Sequence, residues 1–317
     1  MRTRRVPRFL VLLNPASGGG REVAQHKREI LERVFREAGQ DHEFVPLDSP
    51  AELAHVARLA AERAHREDAV LVAVGGDGTL TTAAQAAHHA GCVLGAVPQG
   101  TFNYFGREQG LSQDAEQAAR ALLRATPRPV QVGTINGRLF LVNASLGLYP
   151  QLLDDREAFV DRFGRHRWVA LLSALSTLFK WRHQLSVQIE VDGRERRLRT
   201  PTLFICNNRV QLARLGLAPE VLEQVGRTHM VAMVLKPIGT VAMFGLLLRG
   251  AFGRLGEAEQ VESFTFDRLT VSVRSARRVK VAADGEIGMM TQPITFEVCP
   301  TPLMLMMPSD EDRVEAE

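Results

Sequence analysis

Three glycine-containing turns carry the residues best suited to chemistry in this chain. They are "NPASGGGR" at 14–21, "AVGGDGTL" at 73–80 and "PQGTFNYFGR" at 98–107. Each turn follows an apolar run and precedes a stretch with helical character. Glycine permits positive φ and close backbone approach, and the next helix offers free N–H groups and a positive dipole end. Turns of this kind favour an anion such as phosphate.

A ligand-free strand-to-helix turn is the alternative for each of the three. One glycine-rich loop on its own does not decide between the two interpretations. In a parallel α/β sheet, however, ligands bind beyond the carboxyl ends of the strands, and three polar turns there would line one crevice. The sequence therefore predicts a single phosphate-binding site to which all three turns contribute.

The elements that position these turns alternate between strand and helix over the first part of the chain. The strand-like runs are "RFLVLL", "HEFVPL", "AVLVAV" and "CVLGAV", and helical stretches are predicted at 22–38, 51–66, up to 90 and 114–125. Alternation of this length is typical of a parallel sheet with helices on its faces. We predict an N-terminal parallel α/β domain over residues 1–130.

The pattern changes at "RATPRPVQV" (124–132), where two prolines interrupt the alternation. Short β-branched runs bounded by turn residues follow: "RLFLVNASLGL", "QLSVQIEV", "TPTLFICNN", "HMVAMVLK", "DRLTVSVRS" and "RRVKVAADGE". They predict an antiparallel β-sandwich or barrel over 131–308, with a helical insertion at 156–180. The acidic tail, 309–317, is expected to fray.

Charge, cysteines and hydropathy narrow the class of protein. A net charge of +3 favours anionic partners without requiring them. Three cysteines, Cys92, Cys206 and Cys299, are too few and too widely spaced for a disulfide framework or a zinc site. The apolar stretches are too short for a signal peptide or a membrane span. We expect a cytoplasmic protein with no nucleic-acid partner, peripheral at the inner face of the membrane, with a homodimer left open.

Two carboxylates end the last of the β-branched runs, in "ADGE" at 283–286. Asp284 and Glu286 flank Gly285, so a turn here can direct both carboxylates into a cleft between the domains. Carboxylates in such a place can accept a proton or support a metal ion. The alternative is that the Asp-Gly pair simply forms a hairpin turn.

A third carboxylate, Asp77, lies inside the second glycine turn. A carboxylate there repels phosphate unless a metal ion or a hydrogen-bonded hydroxyl lies between them. Asp77 is therefore predicted to be linked to a metal ion or to orient a nucleotide. Alternatively, its side chain caps an N–H group at the start of the following helix.

The three turns together with "ADGE" resemble the diacylglycerol kinase catalytic-domain family, which includes bacterial lipid kinases and sphingosine kinases. The resemblance extends from "LLNPASGGG" to "VAADGEI" with the motifs in the family's order. "GGDGT" also occurs in NAD kinases, so the distinction from that related fold depends on the other motifs. The resemblance implies a lipid kinase that uses ATP and Mg²⁺, with nucleotide on the α/β domain, lipid on the β-rich domain and the active site between them.

The same resemblance implies a role for each matching residue. Asp284 would be the general base, Glu286 would support metal or orientation, and Asp77 would act beside the phosphates. The residues implied in nucleotide binding are Asn14, Ser17, Gly18, Gly75, Gly76, Gly78, Thr79, Leu80, Thr81, Thr101 and Asn103. Arg21 and Arg107 each follow a glycine turn and could clamp phosphate oxygens, or could be solvated surface charge.

Four positions depart from the family pattern. Tyr104 stands where an Asp is common, Gln131 where an acid is common, and Arg21 where a Lys is frequent. The stretch 222–234 lacks the Asp-Gly pair that some members use for a structural magnesium ion. These departures put the auxiliary metal network in doubt, and we assign no metal ligands from the sequence.

Two apolar segments lie in the predicted β-rich domain. The segment 163–183 has an apolar stripe that includes Trp168 and Leu172, with basic residues at its ends. It could lie in a membrane interface or pack on the core of its own domain. With a second stretch at 237–255, it could form a cleft for an acyl chain.

Three functions are consistent with these features. The first is a lipid kinase that transfers the γ-phosphate of ATP to a hydroxyl of diacylglycerol or a related lipid. The second is an NAD kinase-like enzyme with a soluble acceptor. The third is a nucleotide- or lipid-binding protein with weakened catalysis, which Tyr104 and Gln131 would favour.

Overall fold

The computed structural model describes residues 7–16, 21–148, 150, 184–191, 193–226, 228–237, 258–274 and 276–315. The chain forms two compact units. The first unit contains residues Met1–Val132 and Pro300–Glu317, and the second contains Gly133–Cys299. The predicted insertion and both apolar segments fall mostly outside the described residues.

A six-stranded sheet forms the centre of the first unit. Its strands are β1 (Phe9–Leu13), β2 (His42–Phe44), β3 (Val70–Gly75), β4 (Val93–Pro98), β5 (Thr126–Val130) and β18 (Leu303–Met307), in the order β2-β1-β3-β4-β18-β5. All neighbours are parallel except β5, which is antiparallel to β18. The sheet is therefore mixed, whereas the sequence predicts a parallel one.

The helices of this unit agree with the predicted stretches. They are α1 (Arg21–Glu37), α2 (Leu53–Glu67) after a 3-10 turn at Pro50–Glu52, α3 (Asp77–Ala90), α4 (Tyr104–Glu108) and α5 (Ala115–Arg124). Central strand β3 is buried along its whole length, as expected for a parallel strand covered on both faces. Phe9, Leu31, Phe35 and Val72 are part of the hydrophobic core between the sheet and the helices.

The C-terminal end of the chain differs from the prediction. Strand β18 joins the sheet of the first unit between β4 and β5, so this stretch does not belong to the β-rich unit. The prolines Pro127 and Pro129 lie in β5 rather than in a linker. They are tolerated because β5 is an edge strand, where a missing N–H costs no hydrogen bond within the sheet.

The acidic tail is held rather than frayed over its described residues, which reach 315. Asp312 forms an ion pair with Arg124 and accepts a hydrogen bond from Ser309. The backbone N–H of Val314 donates to the carbonyl of Gly110. These contacts correct the expectation that the tail frays.

The second unit is an antiparallel sandwich of two six-stranded sheets. One sheet has the order β10-β9-β14-β17-β6-β7 and the other β13-β12-β11-β8-β15-β16. The strands are β6 (Gly133–Ile135), β7 (Arg138–Phe140), β8 (Asn143–Gly147), β9 (Leu185–Val191), β10 (Arg194–Thr200), β11 (Thr202–Cys206), β12 (Met230–Leu235), β13 (Val261–Phe266), β14 (Arg268–Val273), β15 (Arg278–Ala283), β16 (Glu286–Thr291) and β17 (Ile294–Val298). Two short helices, α6 (Arg209–Arg214) and α7 (Pro219–Leu222), follow β11.

The core of the sandwich is formed by side chains that alternate along strands of both sheets. Ile189 and Val271 of one sheet lie in the same buried cluster as Leu203 and Val281 of the other. This alternation is what period-two hydrophobicity produces when two sheets pack face to face. The predicted fold class, an α/β domain followed by an antiparallel β-sandwich, is confirmed.

Candidate functional site

The three glycine turns begin side by side, because they follow adjacent parallel strands. Strand β3 lies between β1 and β4, with Leu13 in register with Val74 and Gly75 in register with Pro98. The carboxyl ends of the three strands therefore share one edge of the sheet, as the sequence predicts. This is where open α/β sheets bind ligands.

Close approach of neighbouring atoms, not positive φ, explains two of the glycines in the second turn. A Cβ on Gly76 would lie 3.1 Å from the Cα of Gly100, and a Cβ on Gly75 would lie 2.5 Å from the Thr79 side chain. Gly78 has no neighbour within 4 Å of such a Cβ. None of the three has positive φ, so that part of the expectation is wrong.

Gly100 of the third turn is as crowded as Gly76. A Cβ on Gly100 would lie 2.7 Å from both the Cα of Gly76 and the Oδ1 of Asn103. The second and third turns thus pack backbone against backbone. Any side chain at this contact would push the two turns apart.

Asn14 connects the first turn to the second. Its Nδ2 donates to the Thr79 Oγ1 at 2.9 Å, and its Oδ1 accepts from the N–H of Ala16 at 3.0 Å. Thr79 is buried, so this link lies under the turns. Asn14 and Thr79 therefore hold two of the predicted phosphate-binding turns in one arrangement.

Leu80 and Thr81 do not offer side chains to a ligand. Leu80 is fully buried in the core, Thr81 is also buried, and the Leu80 N–H donates to the Gly76 carbonyl inside helix α3. A residue with that geometry supports the turn from the side of the hydrophobic core. The structure therefore corrects the assignment of Leu80 to phosphate binding.

Asp77 caps the short helix α4, which begins in the third turn. Its two carboxylate oxygens accept from the backbone N–H groups of Tyr104 and Phe105 at 3.3 and 3.4 Å, at the start of α4. A carboxylate at a helix N-terminus satisfies free N–H groups and favours the dipole there. Asp77 thus ties the second turn to the third.

Asn103 closes the third turn from within. It is buried and has φ of 49°, and it both accepts from the N–H of Gly100 (2.7 Å) and donates to the Gly100 carbonyl (2.9 Å). Its Nδ2 also donates to Gln113. The role of Asn103 in this structure is to shape the turn.

The exposed part of the third turn is aromatic. Phe102 is 53% exposed, and its ring stacks on Tyr104 with centroids 5.8 Å apart. Thr101 is exposed beside it, and Arg107 Nε donates to the Phe102 carbonyl at 2.8 Å. Arg107 therefore binds its own loop in this structure.

Three predicted residues of the first turn cannot be compared in the same way. Ser17 and Gly18 lie outside the described residues, and so does the side chain of Arg21. Arg21 begins helix α1.

In the second unit, Asp284 and Gly285 form the two-residue turn of the β15–β16 hairpin. Their φ values are 47° and 86°, and Ala283 pairs with Glu286 across the turn. Positive φ at both central residues is what a tight hairpin of this kind requires, and Asp-Gly suits it. Asp284 and Gly285 therefore form a hairpin turn, which was the alternative interpretation of the sequence. This turn determines the position of the Asp284 carboxylate.

The Asp284 carboxylate accepts three backbone hydrogen bonds. The donors are the N–H groups of Leu141, Val142 and Asn143, at 2.7, 2.8 and 3.0 Å. The N–H of Asp284 in turn donates to the Asn143 carbonyl at 2.8 Å. These three donors hold the Asp284 carboxylate in one orientation.

Glu286 has a different environment. It is exposed on β16 and forms an ion pair with Arg138 of β7. Surface ion pairs of this kind add little stability. The two carboxylates of "ADGE" are thus held separately, one by buried backbone groups and one by a solvent-exposed guanidinium.

A buried polar cluster around Asp284 was not found from the sequence. Asn207 Nδ2 donates to the Leu141 carbonyl at 3.2 Å, and Asn143 Nδ2 donates to Gln211 Oε1 at 3.0 Å. Asn208 caps helix α6 by accepting from the Gln211 N–H at 2.8 Å. The signal was the pair of asparagines directly after an apolar strand, in "LFICNN" at 203–208.

Thiol and metal chemistry find little support in the described residues. Burial raises the pKa of the Cys92 thiol to about 11, which keeps it protonated and unreactive. Nowhere in the described ranges do three or more His, Cys, Asp or Glu side chains group as metal ligands do.

The described helices include none long and apolar enough to cross a membrane.

The chain is built from two known domains. Residues 8–135 match the family described as "Diacylglycerol kinase catalytic domain", and residues 158–307 match "YegS C-terminal NAD kinase beta sandwich-like domain". The three turns lie in the first domain and "ADGE" in the second. The chain therefore contains a diacylglycerol kinase catalytic domain, as the sequence motifs indicated, and a YegS-type C-terminal domain.

Curated relatives are similar to parts of the chain. A protein named "Diacylglycerol kinase" from Bacillus subtilis (strain 168) is 31% identical over 152 residues, which are 47% of this chain and 48% of that protein. A protein named "Probable lipid kinase YegS-like" from Pseudomonas aeruginosa (strain UCBPP-PA14) is 44% identical over 92 residues, or 28% and 30% of the two chains. The matches thus span about half, or less, of these relatives.

Solved structures share the fold over nearly the whole chain. A crystal structure of a diacylglycerol kinase from Bacillus anthracis str. Sterne gives a TM-score of 0.66, at 17% identity, over 98% of this chain and 99% of that one. A second structure from the same organism gives a TM-score of 0.72 over the same shares. At this identity the likeness concerns the fold.

Proposed function

We propose that this protein is an ATP-dependent lipid kinase that transfers the γ-phosphate to a hydroxyl of diacylglycerol or a related lipid. The observation that carries the proposal is the joint arrangement of the three glycine turns. They occupy one edge of the sheet inside a diacylglycerol kinase catalytic domain, and Asn14, Asp77 and Gly100 tie them together. The names of the curated relatives agree with a lipid acceptor.

In the first unit, the backbone supplies most of the proposed nucleotide contacts. Gly76 and Gly78 lie at the N-terminus of α3, where free N–H groups and the dipole favour phosphate. The space beside Gly78 is open, so a phosphate oxygen can come close to its backbone. Thr101 and the exposed Phe102 are positioned to contact the rest of the nucleotide.

Phosphoryl transfer needs positioning and charge stabilisation more than covalent chemistry from the protein. Mg²⁺, when bound, would neutralise the phosphates. Mg²⁺ is typically held by one or two carboxylates plus substrate phosphates, and a single carboxylate, Asp77, lies in the turns. These residues fit a metal that is held by Asp77 together with the phosphates of the nucleotide.

In the second unit, Asp284 is the proposed acceptor of the proton from the lipid hydroxyl. Three N–H donors fix its carboxylate in one orientation and favour the ionised form. The carboxylate would take the proton from the hydroxyl as the phosphoryl group is transferred.

The test is transfer of labelled γ-phosphate from Mg-ATP to extracted membrane lipids. Wild type should give a labelled lipid, and Asp284→Asn should lower the rate by about 10²–10⁴-fold, the usual contribution of a general base. Asp267→Asn, at an exposed carboxylate in the same unit, is the matched control and should keep full activity. Equal product formation by all three proteins would show that Asp284 is not the general base. The absence of any labelled lipid would contradict the proposal that the acceptor is a lipid.

A second candidate acceptor is NAD, because the C-terminal domain family is described as NAD kinase beta sandwich-like. The same proteins assayed with NAD and Mg-ATP would form NADP under this alternative. NADP formation without lipid labelling would replace the lipid kinase proposal. ATP binding with neither product would indicate a binding protein that has lost catalysis.

A further inference from the structure

The outer face of one sandwich sheet carries three arginines at one end. On β9 and β14, Val187, Ile189 and Val271 point into the core, so the alternate residues lie on the outer face. The pairing of the strands aligns the outer-face residues of β10, β9 and β14 in three rows. The first row contains Glu195, Glu190 and Thr270, the second contains Arg197, Gln188 and Ser272, and the third contains Arg199, Ser186 and Arg274.

Charge is separated along this face. The two carboxylates lie at the end near the β9–β10 hairpin, while all three guanidinium groups lie in the next two rows. Glu195 accepts a hydrogen bond from Gln188 at 2.7 Å rather than from an arginine. None of Arg197, Arg199 and Arg274 forms an ion pair with a described carboxylate. Positive charge at this end is therefore not neutralised within the described residues.

The arginines line a cavity of about 620 Å³. Its described walls also include the hydroxyl-bearing Ser186 and Ser272 and the apolar Val273. The volume falls in the range of small-molecule sites, roughly 300–1,000 Å³, and exceeds what a bare phosphate ion needs. Guanidinium forks and hydroxyls are the groups that bind phosphate oxygens in pairs.

We propose that this arginine cavity binds the phosphate headgroup of an anionic phospholipid and so docks the sandwich unit on a membrane surface. This rests on the proposed lipid kinase activity for its choice of ligand, because such an enzyme must meet its acceptor at a bilayer. Anionic bilayers attract clustered basic side chains, and three arginines on one open face concentrate that attraction. The exposed position of all three arginines suits an extended anionic surface.

The test is co-sedimentation of the full chain with vesicles of phosphatidylcholine alone and of phosphatidylcholine mixed with phosphatidylglycerol. Wild type should bind the mixed vesicles and not the neutral ones. The triple variant Arg197→Gln, Arg199→Gln, Arg274→Gln should bind the mixed vesicles on the order of a hundredfold more weakly. Each basic residue near such a surface contributes a factor of about ten or less to the binding constant. Raising the salt concentration should weaken wild-type binding as well.

The matched control replaces three arginines outside the cavity, Arg66→Gln, Arg128→Gln and Arg194→Gln, with the same change in net charge. It should bind mixed vesicles much as wild type does. Equal weakening in both triple variants would show that net charge alone governs binding and would overturn the proposal. Unchanged binding by the cavity variant would also overturn it.

Inorganic phosphate and glycerol 3-phosphate distinguish the two sources of the ligand. Under the proposal, neither should displace the protein from mixed vesicles at millimolar concentration. Displacement by glycerol 3-phosphate would instead make the cavity a site for a soluble phosphate ester. Sedimentation requires neither ATP nor turnover, so failure of the lipid kinase proposal would be visible separately, in the labelling assay. Thermal unfolding of each variant checks that the sandwich is intact.

Discussion

The glycine turns of the first unit and the Asp284 cluster of the second are built in opposite ways. Gly76 and Gly100 can come into contact because neither has a side chain, so the packing of the two turns depends on the absence of a Cβ atom. Asp284 holds residues 141–143 because its carboxylate is present and fully surrounded by donors. Adding atoms should damage the first region, and removing atoms should damage the second.

This difference also affects how each region tolerates a ligand. The turns leave N–H groups and open space at Gly78, so they can accept phosphate without breaking existing bonds. The Asp284 carboxylate already accepts three backbone hydrogen bonds, so it acts as a rigid support. A preorganised support of this kind loses little conformational freedom when a ligand binds.

The largest effect is expected from Asp284→Ala. We predict a fall of about 3–5 kcal/mol in the free energy of unfolding, because each buried N–H left without an acceptor costs about 1–3 kcal/mol and water reaches part of the turn. Urea unfolding measures it. Glu286→Ala, two residues away in an exposed ion pair, should change stability little. Equal losses in both variants would break the contrast between the buried and the exposed carboxylate.

The next effect tests the turns by adding one methyl group. Gly100→Ala should lower the free energy of unfolding by about 1–3 kcal/mol, the usual cost of overpacking, and weaken ATP binding. Gly78→Ala should not destabilise the fold, since no atom lies within 4 Å of the new Cβ and alanine is favoured by up to about 1 kcal/mol in a helix. Calorimetric titration with ATP and urea unfolding measure both. If the two variants behaved alike, close approach would not be what selects glycine here.

A smaller effect is expected from Asp77→Ala, which removes the hydrogen bonds from the second turn to the start of α4. Loss of a helix cap costs about 0.5–2 kcal/mol. Hydrogen exchange should speed up at the N–H groups of Tyr104 and Phe105, which lose their acceptor, while Asp77→Asn should restore part of the protection. Unchanged exchange at these two amides would show that α4 does not need the cap.

The smallest effect concerns the ion pair between Asp312 and Arg124, whose side chain is 62% exposed. The hydrogen bond from Arg124, together with that from Ser309, holds the pKa of Asp312 below its ordinary value of 3.8. The contact therefore stabilises the tail above that pH, and the stabilisation is lost as the pH falls through the lowered pKa. Arg124→Gln should raise the pKa of Asp312 back toward 3.8, measured by NMR titration of its carboxyl. An unmoved titration would mean that the ion pair does not persist in solution.

Local patterns accounted for much of the first unit and its turns. The strand ends at Leu13, Gly75 and Pro98 could be predicted because long apolar runs stop at glycine-rich turns, and parallel connectivity then brings them to one edge. Strand β18 could not be predicted in the same way. Its apolar run would suit a strand of either sheet, and only pairing with β4 and β5 determines which.

The cluster around Asp284 lay further beyond sequence reasoning. Its donors are about 140 residues away along the chain, and an Asp-Gly hairpin says nothing about the partner of its carboxylate. The same holds for Asp77, which caps α4, 27 residues away along the chain. Side-chain partners over such distances depend on register and on how elements pack.

The sequence by itself determined the two-part fold class, the three glycine turns and the family to which they belong, because these depend on local periodicity and on backbone freedom at single residues. Only the tertiary structure decided that Asn103 and Leu80 face inward, that Asp284 is held by three N–H groups, and that three arginines share one cavity. The physical reason is that a hydrogen bond or a shared surface needs two segments in register. Local propensity does not specify that register.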